Sequence, residues 1–252
     1  MSGHSKWSSI KHQKGVTDAR RGQLFTKLTR EIIIAVREGG TNPEVNFRLR
    51  LAMQKGRSNN MPHDNIDRAI KRGSGEVEGA VLVELVLEGY GASGTAVLVK
   101  ALSDNRNRTI QEVRNVFSRN GGSLGENGCV AWLFDSKWVI IVQTNGSDAD
   151  ELALAFIDAG AEDVKVETDH VEIQTRPSGI ETIRTVLEQN NLTIASAELL
   201  MVPKSLVQLD EKAAVQTLRL LDKLEEMDEV QTVSSNADFS EEVIEKYQSQ
   251  QG

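Results

Sequence analysis

The sequence predicts an α+β protein of three domains: a small N-terminal helical domain, a discontinuous α/β domain, and an inserted ferredoxin-like βαββαβ domain. Two periodicities and one element order lead to this prediction. Apolar residues recur every three or four positions up to about residue 73 and alternate from residue 83, and the elements from residue 138 onward follow the order βαββαβ. The predicted boundaries are 1–79 for a basic arm plus the helical domain, 80–128 with 203–240 for the α/β domain, 129–202 for the inserted domain, and 241–252 for a C-terminal tail.

Three short helices are predicted in the first third of the chain. Thr17 and Asp18 are candidate caps for the first helix, which ends at the glycine pair 39–40. The second helix ends near Gly56, and Pro62 begins the third. The first fifteen residues, MSGHSKWSSIKHQKG, contain few large apolar side chains, so we expect them to form an arm ahead of this helical domain.

The α/β domain is predicted in two halves. VLVELVLEGY and TAVLVKAL alternate as the two strands of a hairpin, and a capping box at Thr109 and Glu112 predicts the helix that follows. Two strands and one helix make an incomplete module. A helix from Asp210 to about Met227 and a strand VQTVS, both after Pro203, supply the second half.

The inserted domain contains four predicted strands, WVIIVQT, DVKVE, HVEIQT and LTIASAELLMV. One helix follows the first strand and a second helix follows the third, which gives the order βαββαβ. Capping boxes at Ser147 and Ser178 begin the two helices, which end near Gly160 and Asn190. The strand HVEIQT has no stacking aromatic residue, so the domain is not predicted to be an RNA-recognition motif. After Ser240 the tail is predicted to be a loosely held helix.

The charge is divided unevenly along the chain. Residues 1–75 contain 15 lysines and arginines against 6 acidic residues, a net charge of +9, and the remainder contains 14 against 31, a net charge of −17. A basic segment on an acidic protein indicates a surface that attracts a polyanion. The alternative is that the basic residues are ordinary solvated faces of helices.

Several classes of protein are not expected. There is no apolar run long enough to cross a membrane and no signal-peptide pattern, so a cytoplasmic protein is predicted. Cys129 is the only cysteine and is predicted to be a core residue. His4, His12 and His63 have no cysteine partner or periodic placement, so no metal is expected. The sequence contains no nucleotide-binding fingerprint and no pair of carboxylates that is set apart by different environments, so neither a cofactor nor catalysis is predicted.

Nucleic-acid binding has the strongest support, through the arm and the first helix. Basic side chains there can neutralise the phosphates of a nucleic-acid backbone, and Trp7 can stack on a base or ribose. The alternative is that Trp7 folds back onto the helical domain. The predicted contact residues are Lys6, Trp7, Lys11, His12, Lys14, Arg20, Arg21 and Lys27.

A possible second anion site lies at Arg106 and Arg108. Arginines at the N-terminus of a helix oppose the positive end of its dipole, an unfavourable placement unless an anion is nearby. The anion can be a phosphate of a ligand or a carboxylate of the protein, and the sequence leaves both open.

Five motifs together resemble the YebC family over nearly the whole chain: GHSKW at 3–7, GQLFTKLTREI at 22–32, NNMP at 59–62, EGYG at 88–91 and LSDNRNRT at 102–109. The resemblance implies a helical N-terminal domain and two α/β domains around a cleft. Bacterial relatives are described as DNA-binding transcriptional regulators, and mitochondrial relatives as translational activators; relief of ribosome stalling is also attributed to the family. The chain departs from the family pattern at GYGASG, where GYGPGG is usual, and at Gly56, where alanine is usual and where the helix end is expected to fray.

We therefore expect a non-catalytic regulator of gene expression that binds DNA or ribosomal RNA through its basic N-terminal domain. The alternatives are a ribosome-associated translational activator and a protein-docking adaptor acting through the acidic α/β domains. The sequence does not distinguish DNA from RNA, and it identifies no recognition helix with base-reading side chains.

Overall fold

The computed structural model describes residues 18–79, 81–144, 148–167, 170–190 and 192–249. The chain divides into two compact units. The larger unit contains the described residues up to Leu133 and those from Ser205 onward, and the smaller unit is Phe134–Lys204. The predicted α+β class is confirmed, and the finer division into three domains stays a prediction.

In the described parts of the chain, three helices come first, and strands and helices are interspersed after them. In chain order they are α1 Asp18–Gly39, α2 Phe47–Ser58, α3 His63–Ser74, β1 Val83–Tyr90, β2 Ala96–Ser103, α4 Arg106–Arg119, β3 Ser123–Leu124, β4 Phe134–Gln143, α5 Ala149–Asp158, β5 Asp163–Val166, β6 His170–Thr175, α6 Ile180–Gln189, β7 Thr193–Pro203, β8 Val207–Gln208, α7 Glu211–Glu225, β9 Val230–Ser235, β10 Ala237–Asp238 and α8 Glu241–Ser249.

Helices α1, α2 and α3 share one apolar core. Leu28 and Ile32 of α1, Leu49 of α2 and Ile66 of α3 are fully buried in it. The turn into α2 is fixed by Asn46, whose side chain accepts a hydrogen bond from the amide of Leu49 and donates to the carbonyls of Ala35 and Gly40. A buried side chain that makes three hydrogen bonds holds α1 and α2 in one arrangement.

The larger unit also contains a four-stranded antiparallel sheet in the order β3-β1-β2-β9. Helices α4 and α7 pack against one face, where Val99 of β2, Phe117 of α4 and Leu218 of α7 form a shared core. The chain after Pro203 therefore completes the sheet begun by β1 and β2. Strands β8 and β10 add a short parallel pair.

The C-terminal helix is more firmly packed than the sequence predicts. Ile244 and Tyr247 of α8 are buried in the same core as α7, and the Tyr247 hydroxyl donates to Asp222 Oδ2 at 2.8 Å. The prediction of a loosely held tail is therefore wrong for α8. Val243 packs against the same core, so α8 is held by apolar contacts and by the Tyr247 hydrogen bond.

Three helix boundaries differ from their predictions because another side chain caps the helix or because no side chain does. Helix α4 begins at Arg106 with Asn105 as its cap, so the capping box at Thr109 is wrong; the Thr109 hydroxyl is buried and donates to Ser103 Oγ. Helix α6 begins after Gly179 without a side-chain cap, so the box at Ser178 is also wrong. Helix α5 is capped by Asp148, and Ser147 lies outside the described residues.

The smaller unit contains a four-stranded antiparallel sheet in the order β5-β6-β4-β7 with two helices, α5 and α6. Its elements follow one another in the predicted βαββαβ order. Ile140 of β4, Phe156 of α5, Ile173 of β6 and Ile183 of α6 are fully buried. Strands β4 and β6 and helices α5 and α6 therefore each bury an apolar side chain, as the spacing predicts.

Candidate nucleic-acid interface

Most of the predicted arm contacts lie outside the described residues. These are Lys6, Trp7, Lys11, His12 and Lys14. The remaining three, Arg20, Arg21 and Lys27, are on α1, and Arg21 is exposed.

Lys27 has a contact inside the larger unit. Its Nζ donates to the main-chain carbonyl of Glu225 at 2.5 Å, and Gln23 Nε2 donates to the carbonyl of Glu226 at 3.1 Å. Both acceptors are at the C-terminus of α7, where a cation interacts favourably with unpaired carbonyls and the helix dipole. Lys27 thus helps to attach α1 to α7.

The two arginines of the LSDNRNRT motif lie in different surroundings. Arg108 Nη2 lies 2.7 Å from Asp104 Oδ1 and 3.5 Å from Glu229 Oε1, so the structure pairs it with carboxylates of the protein. Arg106 is exposed and has no ion-pair or hydrogen-bond partner among the described residues. Of the two alternatives for an anion, the internal one holds for Arg108.

Helices α2 and α3 carry basic residues that the sequence pattern did not single out. Helix α2 contains four basic residues and no acidic ones, namely Arg48, Arg50, Lys55 and Arg57. Helix α3 adds Arg68, Lys71 and Arg72, which are all exposed. The spacing of Arg68 and Arg72, four residues apart on a predicted helix, was the signal available for this pair.

A cavity of about 470 Å³ opens between α1, α3 and the segments that flank β1 and β2. Its polar and apolar lining residues are Phe25, Thr26, Thr29, Arg30, Ile33, Asn65, Arg68, Ala69, Arg72, Leu82 and Asp104. The lining thus contains three arginines and one acidic residue, Asp104, which is paired with Arg108. The lining has an excess of positive charge.

Arg30 is the most enclosed of the three arginines. Its side chain is 17% exposed, and its Nη2 lies 3.4 Å from Glu229 Oε1. Its Nη1 is buried and has no hydrogen-bond acceptor among the described residues. A buried donor without an acceptor is costly, of the order of 1–3 kcal/mol. An anion entering the cavity that Arg30 lines is the kind of group that satisfies such a donor.

The conformation of one loop depends on a carboxylate in the EGYG motif. Glu88 is 5% exposed and accepts hydrogen bonds from the amides of Gly128, Val130 and Ala131 at 2.6–2.7 Å. Burial raises the pKa of Glu88, but the three hydrogen bonds together outweigh it, so the pKa lies below the ordinary value. Glu88 has a structural role, which no pattern in the sequence indicated.

Two kinds of feature are absent from the described residues. No cluster of three or more His, Cys, Asp or Glu side chains suited to a metal ion occurs among them. None of the described helices is both long enough and apolar enough to span a membrane. Cys129 is a partly buried free thiol.

Comparison with known protein families gives two matches. Residues 5–76 match the N-terminal domain of the TACO1/YebC protein, and residues 82–237 match the TACO1/YebC second and third domain. The two matches together include the basic helices, the residues that line the cavity and the smaller unit, and they end before α8.

Individual relatives are similar over nearly their full length. A probable transcriptional regulatory protein of Dehalococcoides mccartyi is 61% identical over 250 residues, which cover 99% of this chain and 100% of the relative. Another, from Halothermothrix orenii, is 50% identical and covers 98% of both chains. The crystal structure of a conserved hypothetical protein from Aquifex aeolicus is 46% identical, covers 92% of this chain and 96% of its own, and has a TM-score of 0.83. This chain belongs to the TACO1/YebC family.

Proposed function

We propose that the protein is a non-catalytic regulator of gene expression that binds nucleic acid through its basic N-terminal segment and acts in the cytoplasm. The observation that carries the proposal is the concentration of positive charge on the N-terminal helices. Helix α2 has four basic residues without an acidic one, and α3 exposes three more. The exposed basic side chains of these helices, among them Arg57 and Lys71, can bind phosphates, whereas Arg48 pairs with Glu38 and Glu84. Relatives named probable transcriptional regulatory proteins support the regulatory role.

The electrostatic contribution is tested by the dependence of affinity on salt. With about five phosphates neutralised, log K falls with log salt at a slope of roughly −3.5 to −4.5. The measurement is fluorescence anisotropy of labelled DNA and RNA strands at several salt concentrations. Affinity that does not change with salt would contradict the proposal.

DNA and ribosomal RNA are both candidates for the nucleic acid. Both carry a regular array of phosphates, and phosphate contacts carry no sequence information directly. Crosslinking in cells, followed by sequencing of the attached nucleic acid, separates the two. Promoter DNA indicates a transcriptional regulator, and ribosomal RNA indicates a translational activator.

A second candidate, a protein-docking adaptor, is favoured by the acidic remainder of the chain, with its net charge of −17, and by Trp132, which is 65% exposed in the larger unit. Exposed aromatic residues are enriched at protein interfaces. Deleting residues 1–15 separates the two functions. The adaptor keeps its partner after this deletion, whereas the nucleic-acid binder loses most of its affinity.

A further inference from the structure

We propose that the cavity between α1 and α3 is a phosphate-binding site for a nucleotide, with Arg30, Arg68 and Arg72 as its anion ligands. A phosphate site here makes the proposed function more specific. It rests on that function only for the source of the nucleotide, which is either a nucleic-acid strand or a free nucleotide. The phosphate group is common to both sources.

The charge of the lining favours an anion of phosphate type. Arg68 and Arg72 are one turn apart on α3, are exposed, and have no carboxylate partner among the described residues. Like charges at this spacing repel each other along a helix. A phosphate between the two guanidinium groups removes the repulsion, because each guanidinium can donate two parallel hydrogen bonds to phosphate oxygens.

Arg30 supplies the buried part of the site. Its guanidinium is held on one side by Glu229, and its second terminal nitrogen, Nη1, is the buried donor without an acceptor among the described residues. A phosphate oxygen bound beside the Arg30 guanidinium gives this donor its missing acceptor. Because the group is shielded from water, such a bond is stronger than one on the surface.

The neutral lining suits the remainder of a nucleotide. The lining includes the apolar residues Phe25, Ile33, Ala69 and Leu82, together with Asn65, which has a side-chain amide. Phe25 offers an aromatic ring against which a base can stack. The volume of about 470 Å³ is within the range of small-molecule sites, roughly 300–1,000 Å³.

The test compares uridine 5′-monophosphate with uridine, which lacks the phosphate, by isothermal titration of the full-length protein. The site variant is Arg68→Gln/Arg72→Gln, since both side chains are exposed and glutamine is a good helix former. The matched control is Arg114→Gln/Arg119→Gln on α4, which removes the same charge from exposed positions outside the cavity. Circular dichroism verifies that both variants fold.

We expect the wild-type protein and the control to bind the monophosphate at least tenfold more tightly than uridine, and the site variant to lose at least tenfold of the monophosphate affinity. Equal affinity of the wild type and the site variant overturns the proposal, as does uridine binding as tightly as the monophosphate, or no binding of the monophosphate to the wild type. Preferential binding of a polyglutamate peptide also overturns it, because the cavity is then a protein-docking site.

A short labelled oligouridylate identifies the source of the phosphate. If the site variant also loses affinity for this strand, the nucleotide belongs to a nucleic acid. If the site variant loses affinity only for the monophosphate, the ligand is a free nucleotide, and the phosphate site is supported. If the wild-type protein binds the monophosphate but neither DNA nor RNA strands, the proposed function is contradicted and the phosphate site is still supported.

Discussion

Arg30 on α1 and Glu229 in the turn before β9 form an ion pair, with 3.4 Å between Nη2 and Oε1. The same carboxylate oxygen lies 3.5 Å from Arg108 Nη2 at the start of α4. Glu229 is 13% exposed, so its carboxylate is largely shielded from solvent. One carboxylate thus connects a helix of the N-terminal segment with the sheet and with the LSDNRNRT motif.

The substitution Glu229→Gln is expected to change stability and anion binding in opposite directions. It leaves two arginines without a shared carboxylate, which costs about 1–3 kcal/mol of unfolding free energy. It also removes a negative charge beside Arg30, so the affinity for uridine 5′-monophosphate rises severalfold. Urea unfolding and isothermal titration measure the two effects. Glu84→Gln is the control, because its pair with Arg48 is about half exposed and contributes less than about 1 kcal/mol. A lower affinity for the monophosphate in Glu229→Gln would contradict this account.

Glu88 is expected to stabilise the fold in a way that depends on pH. Its pKa in the folded protein is lower than the ordinary value of 4.5, so the unfolded chain binds a proton more readily. The stabilisation is therefore complete above pH 4.5 and is lost as the pH falls through the lower, folded value. Glu88→Gln replaces an ionised acceptor of three amide hydrogen bonds and costs about 1–3 kcal/mol at neutral pH.

The measurement is urea unfolding of the wild type and Glu88→Gln from neutral pH down to about pH 3.5. The difference between the two proteins shrinks below pH 4.5, because the wild-type carboxyl becomes protonated. A difference that is constant across this range would show that the charge of Glu88 has no part in holding the loop.

Gly56→Ala is expected to stabilise the protein. Helix α2 continues through Gly56 to Ser58, so this glycine lies within the last turn of the helix. A Cβ atom at this position meets Met61 Sδ and Ile66 Cδ1 at 3.4 Å, an ordinary contact. Alanine therefore gains about 0.5–1 kcal/mol of helix stability without strain.

The control for this substitution is Gly73→Ala on α3. A Cβ atom there lies 2.7 Å from Val36 Cβ and 2.9 Å from the carbonyl of Ile33, both on α1. The helices must move apart, which costs about 1–3 kcal/mol. Thermal unfolding compares the two variants. If Gly56→Ala lowers the melting temperature as much as Gly73→Ala, the packing argument for Gly56 is wrong.

The sequence predicted the fold well where the signal is local. Alternating residues predicted β1 and β2, and apolar spacing predicted α1 to α3, since each pattern is set by the element's own geometry. It failed where the burial of a side chain in the folded protein decides. The Thr109 hydroxyl is buried against Ser103, which leaves Asn105 to cap α4, and no local pattern distinguishes these two caps.

The candidate site was harder to predict for the same reason. The cavity brings Arg30 of α1 together with Arg68 and Arg72 of α3, and their convergence depends on how the two helices pack. Charge counting selected the N-terminal segment but emphasised the arm. The pairing of Lys27 with the end of α7 was likewise invisible, because its acceptor is a main-chain carbonyl 198 residues later in the sequence.

One departure from the family pattern has a structural consequence in the turn after β1. Ser93, where the pattern has glycine, adopts a φ of 55°, in the left-handed region. The turn therefore keeps a backbone conformation that suits glycine better than serine. The conformation of this turn is set by the hairpin that it closes, because β1 and β2 are paired up to Tyr90 and Ala96 on either side of it.

Tyr247→Phe is expected to destabilise the protein through the C-terminal helix. The hydroxyl donates to Asp222 Oδ2 at 2.8 Å, and both side chains are more than nine-tenths buried, so the loss costs about 1–3 kcal/mol. Burial and the adjacent carboxylate raise the pKa of Tyr247, so its stabilisation is complete below the ordinary value of 10 and decreases as the pH rises through the higher, folded value. Urea unfolding at neutral pH measures the loss. Tyr90→Phe is the control, because the Tyr90 hydroxyl is near the surface and donates to a main-chain carbonyl, that of Cys129. Equal stability of the wild type and Tyr247→Phe at neutral pH would mean that apolar packing alone holds α8 in place.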